Sequence, residues 1–152
     1  MIIKFFLILQ IIIFLFMTFH DWIHIPPLTD ICELEKHYSK KERLISSSIY
    51  AFIIMMPLLL TWYYRFSFPQ WVLIIFVIDY GLLTSGTIIS WWIPYLFGRM
   101  ESHKKEFTVY QNTHCFLPSR GENIIPNTLH VILHIQIWIC FAISLYLLIS
   151  FL

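Results

Sequence analysis

The chain has 152 residues, 59% of them hydrophobic and only 12% charged, with a formal net charge of +1. That balance excludes a basic nucleic-acid face. Four long apolar stretches exceed what a soluble domain of this length needs, so a bilayer is the expected solvent. Nucleotide binding and nucleophilic hydrolysis have no support, because the chain holds no phosphate-cradling glycine loop, no G-x-S-x-G and no H-E-x-x-H.

The first apolar stretch runs from Ile2 to Phe19, broken only by Lys4 and Gln10, and is long enough to cross about 30 Å of hydrocarbon. Met17, Thr18, Phe19 and His20 stand where the small residues of a signal-peptide cleavage site would be, so a retained helix is expected. Further spans are predicted over 45–64, 71–97 and 129–152. In hydrocarbon each segment must satisfy its own backbone polar groups, which makes these runs helices. The expected fold class is therefore an all-α integral membrane protein, a single four-transmembrane-helix bundle with two polar loops on one side.

Between the first two spans, Pro26-Pro27 halts regular helix, and Thr29 is placed to cap a helix running through Asp30, Glu33 and His37. Ser39-Lys40-Lys41-Glu42 has the spacing of a capping box, so two outcomes stand: one helix continuing into the second span, or a break near Tyr38. Pro57 should bend the second span, since it removes one backbone hydrogen bond. In the other loop, 101–111 reads as a short polar helix and 118–126 as irregular chain. Cys32, Cys115 and Cys140 have no C-x-x-C spacing, which argues against a disulfide or zinc-finger framework.

Four spans put 19–45 and 98–127 on one side. That side carries eight of the ten Lys and Arg residues, and only Lys4 and Arg65 lie on the other. The positive-inside rule then predicts cytoplasmic loops, both termini outside and a place in the cell membrane. Tyr63, Tyr64, Phe66 and Trp71 are expected at one interface, with Trp22, Trp91, Trp92 and Tyr95 at the other.

All seven histidines fall on the two-loop side. His20/His24 and His130/His134 are each spaced i, i+4, so on helical backbone both rings of a pair share a face and could converge on one ion. Nitrogen-rich ligation beside carboxylates suits zinc or iron, and a bis-histidine haem is compatible with the spacing. His37, His103 and His114 are candidate additional ligands or supporting partners, and Asp21 and Glu33 candidate catalytic carboxylates. The bland reading is that histidine is common at membrane interfaces and that seven of them produce such pairs by chance.

The two H-x-x-x-H pairs, His20/His24 and His130/His134, loosely resemble the membrane fatty-acid desaturase and hydroxylase superfamily. That resemblance implies histidine boxes holding two irons at the cytoplasmic ends of the spans. The H-x-x-H-H boxes that define the superfamily are absent here, so the family is not assigned.

Two further features carry chemistry. Arg120, Asn123 and Asn127, with the free amides at the start of the fourth helix, form a candidate anion or lipid-headgroup site. Asp79 lies near the middle of the third span, where an ionisable group is costly. It reads as a proton or cation relay, or as a hydrogen-bonded clasp to Tyr80, Thr84, Ser85 or Thr61. Gly81 and Gly86 offer close helix approach. Three classes of function follow: a metal-dependent membrane enzyme acting on a lipid-like substrate, a non-catalytic membrane subunit of a larger complex, and a small transporter working through Asp79, as a homo-oligomer or beside a partner membrane protein.

Overall fold

The structure is a computed structural model, describing residues 1–98 and 108–150. Its helices are α1 (Ile2–Phe19), α2 (Ile31–His37), α3 (Lys40–Tyr64), α4 (Gln70–Thr87), α5 (Ile93–Phe97) and α6 (Thr128–Ser150), with a π-helical turn, Ile88–Trp92, joining α4 to α5. Among the described residues there is no strand. Four helical segments are long and apolar enough to cross a membrane: α1, α3, the continuous run Gln70–Phe97, and α6. The chain is thus an all-α four-helix membrane bundle.

Local chemistry sets the helix limits. Ser39 and Glu42 form the capping box, and Tyr38 is extended at φ −130° and ψ 127°, so α2 and α3 are separate helices and α3 begins at Lys40 rather than Ile45. Asp30, not Thr29, caps α2 by accepting the Glu33 amide at 3.0 Å. The Thr29 hydroxyl is engaged earlier, donating to Ile23 O and accepting from Ile25 N, both at 2.7 Å. Pro57 lies within the continuous helix α3. Gly98 ends α5 at φ 118°, a conformation glycine adopts without a Cβ penalty.

Packing decides which faces are buried, because these helices are apolar all round. In α1, Phe6, Leu9, Gln10 and Ile13 face inward, while Phe5, Ile8, Ile12 and Leu15 face out. Helix α6 packs most extensively, against α4 and also α1, and α1 packs against α3. The order around the bundle is therefore α3, α1, α6, α4, and the α3–α4 side is the loosely packed one. Phe6 meets Phe76 and Tyr80 edge to face at 5.6 and 5.8 Å in the core. A Cβ on Gly81 would lie 3.3 Å from the Phe141 ring, so glycine permits the close α4–α6 approach there.

The two polar loops meet at one end. His114 N donates to Pro27 O at 2.8 Å, Trp22 Nε1 donates to Ser47 Oγ at 2.9 Å, and Arg43 donates to Asp21 O at 3.1 Å and to Glu35 at 2.8 Å. These bonds tie the first loop to α3 and to the second loop. The second loop is irregular through 118–126, as its prolines imply. Most of the expected polar helix over 101–111 lies outside the described residues.

Candidate functional site

The start of α6 fixes the first element of the site. Asn127 Oδ1 accepts the His130 backbone amide at 2.9 Å and faces His130 Nδ1 at 2.7 Å, while its amide nitrogen donates to Thr113 Oγ1 at 3.1 Å. A backbone N–H is always a donor, so this oxygen is an acceptor and His130 Nδ1 must carry the proton. His130 Nε2 is then left with its lone pair. Trp91 stacks on the ring at 4.3 Å between centroids, and Tyr110 meets it edge-on at 4.7 Å.

One turn on, His134 has the opposite tautomer. Trp92 Nε1, which only donates, bonds to His134 Nδ1 at 3.2 Å. In the neutral ring the proton therefore sits on Nε2. The two ring centroids are 6.1 Å apart. Neither Nε2 has a hydrogen-bond partner among the described residues, although His130 is 8% exposed and His134 only 2%.

Both histidines line a cavity of about 550 Å³ bounded by all four long helices. His20, Asp21, Glu42 and Arg43 stand at its polar end, and Met17, Leu82, Leu83, Leu133 and Ile137 form apolar wall. Gly86 lines it too, and a Cβ there would meet nothing within 4 Å. The cavity lies between α3 and α4, where the bundle is least closely packed.

His20 approaches His130, with centroids 6.1 Å apart, but both its nitrogens are engaged. Nδ1 faces Phe16 O at 3.0 Å and Nε2 lies 3.1 Å from Asp21 Oδ1. His24 does not join the group. Helix α1 ends at Phe19 and the chain turns at once, so the i, i+4 spacing of His20 and His24 falls on no helical face. The His24 ring is exposed and accepts the Ile31 amide at 3.4 Å. The tautomer of His134 also runs against ligation through Nε2, since a ligating histidine donates its other ring N–H. Among the described residues no group of three or more His, Cys, Asp or Glu side chains is arranged to hold a metal ion.

The remaining candidates are dispersed. Glu33 on α2 pairs with Lys36 at 2.6 Å and His37 at 3.2 Å, and the Lys36 hydrogen bond foremost holds its carboxyl below the ordinary value. His114 bonds Thr128 Oγ1 at 2.7 Å, at the junction of the loops. His103 lies outside the described residues. Arg120 stands over the Tyr95 ring at 5.4 Å, Asn123 donates to Tyr95 O at 3.0 Å, and Asn127 spends both ends of its amide on Thr113 and His130. Arg120 and Asn123 thus share Tyr95, while Asn127 sits with Thr113 and His130. Asp79 Oδ2 is buried without a hydrogen-bond partner among the described residues, as are the hydroxyls of Tyr80, Thr84 and Thr61, while Ser85 donates to Gly81 O. The expected clasp is therefore not formed among the described residues.

No family model, curated protein or solved structure matches this chain. The likeness of its histidine pairs to the desaturases is carried by no such match.

Trp91, Trp92 and Tyr110 were not singled out as site residues by sequence reasoning. The two tryptophans read as interface anchors, yet the π-helical turn brings them against α6. Pro94 was the available signal: it has no N–H to give to Ser90 O, so the α-helical ladder cannot run unbroken through this segment, and Ile93 N bonds instead to Ile88 O.

Proposed function

We propose that this protein is a small membrane enzyme that takes a lipid-like substrate into the cavity between α3 and α4 and moves a proton to or from it at His130 and His134. The observation that carries this reading is the pair of histidines of opposite tautomer lining one cavity, each Nε2 without a hydrogen-bond partner among the described residues. One presents a lone pair and the other an N–H, the complement a general base and a general acid need. Asn127 and Trp92 are the positioning residues that hold the two tautomers. The loosely packed α3–α4 side gives a substrate lateral access from the bilayer, and the positive-inside rule puts the polar end of the cavity at the cytoplasmic interface.

The reading is tested with protein reconstituted in nanodiscs and incubated with a total extract of cellular lipids and small solutes. Mass spectrometry of the lipid fraction should show a product formed by the native chain and not by a folded His130→Ala variant. A lipid fraction left unchanged by the native protein overturns the catalytic reading.

A further inference from the structure

We infer that the group recognised in the cavity is a neutral hydroxyl at the end of a single long-chain amphiphile, a proposal that rests on the reading of the cavity as a lipid-like substrate site. His130 Nε2 accepts and His134 Nε2–H donates. A hydroxyl oxygen is the smallest neutral group that donates one hydrogen bond while accepting another. The two ring centroids are 6.1 Å apart, and the proposal requires one oxygen within about 2.8 Å of each nitrogen. Both residues are more than nine-tenths buried and line the cavity, so a single hydroxyl there serves the acceptor and the donor together.

Other head groups fit less well. A carboxylate only accepts, so it would leave the His130 lone pair without a donor and stand at the end of the cavity that holds Asp21 and Glu42. Arg43 offers it little, since its terminal nitrogens bond Asp21 O and Glu35 and its Nε is sealed from solvent. An ammonium has no acceptor for the His134 N–H. Water satisfies the histidines equally, but the wall of Met17, Leu82, Leu83, Leu133 and Ile137 selects a hydrocarbon chain. A volume of about 550 Å³ lies within the usual ~300–1,000 Å³ of small-molecule pockets.

The test measures saturable binding of radiolabelled hexadecanol to the protein in nanodiscs, with three competitors: hexadecyl methyl ether, hexadecanoate and hexadecyltrimethylammonium. The ether keeps the chain and the acceptor but cannot donate. The alcohol should bind saturably, with the ether about tenfold weaker, the loss of one hydrogen bond. His134→Phe should weaken alcohol binding by about the same factor. Gly86→Leu, which fills the cavity from a position with open space around it, should abolish binding with the fold retained. If the ether competes as well as the alcohol, or either charged amphiphile competes better, the hydroxyl assignment is overturned while the lipid-like cavity stands. Binding unaffected by Gly86→Leu would place the alcohol elsewhere and overturn the assignment too. Absence of saturable binding by all four amphiphiles overturns the assignment together with the reading of the cavity.

Discussion

Asn127 and His130 are joined twice: one carbonyl oxygen takes the backbone amide of His130 at 2.9 Å and its ring Nδ1–H at 2.7 Å. The same side chain therefore caps α6 and sets a tautomer, so the stability of the helix start and the chemistry of the cavity share one residue. Replacing Asn127 with Leu removes both. The expected loss is about 1–2 kcal/mol of stability, read by thermal unfolding in detergent. The more specific sign is a shift of the His130 proton from Nδ1 toward Nε2, visible in ¹⁵N NMR of labelled histidine. A variant that is destabilised but keeps the Nδ1–H tautomer would show that Asn127 acts only as a cap.

The two glycines of α4 should respond in opposite ways. Gly81→Leu drives a side chain into the Phe141 ring, which already stands 3.3 Å from where a Cβ would sit, and should cost about 1–3 kcal/mol by separating α4 from α6. Gly86→Ala meets nothing within 4 Å and should be neutral or stabilising by up to about 1 kcal/mol, from the helix preference of alanine over glycine. Equal destabilisation by both would contradict the packing described for α4.

Gln10 is fully buried in α1, and neither polar atom of its amide has a hydrogen-bond partner among the described residues. Gln10→Leu keeps the approximate volume and removes two unsatisfied groups. It should stabilise the bundle by about 1 kcal/mol, measured as a higher unfolding midpoint in a denaturing-detergent titration. Loss of stability would mean that the amide has a bonding partner in the membrane.

On α2, the Lys36 hydrogen bond holds Glu33 below its ordinary pKa of 4.5. A carboxylate whose folded pKa is depressed adds stability above its unfolded value, and that contribution fades as pH falls through the folded one. Lys36→Met should therefore raise the Glu33 pKa toward 4.5, followed by ¹³C NMR of the carboxyl carbon. The change in overall stability should be small, because the Lys36 end of the pair is exposed to solvent. An unmoved Glu33 titration would assign the depression to another neighbour.

How far the sequence foretold this arrangement differs from residue to residue. The four spans were legible because hydrocarbon demands long unbroken apolar runs. The start of α3 was legible as one of two alternatives, through Ser39 and Glu42. His130 and His134 were legible as a pair because they lie within one continuous helix. His20 and His24 have the same spacing but not the same meaning, since α1 stops at Phe19. Hydropathy says nothing about which side of an all-apolar helix faces its neighbours, so neither the central place of α6 nor the cavity between α3 and α4 was visible in advance. Asn127 stands in the sequence at the start of the fourth helix, but its residue type fits an anion site as well as a cap. Only the geometry shows its amide consumed by Thr113 and His130.

The most direct measurement is the tautomeric state of His130 and His134 in the reconstituted protein, by long-range ¹H–¹⁵N correlation with Trp92→Phe as the control. The account predicts His130 protonated at Nδ1 and His134 at Nε2, with only His134 losing its preference when the Trp92 indole donor is removed. Two histidines sharing one tautomer, or a His134 indifferent to Trp92, would contradict the complementary pair on which the proposed chemistry rests.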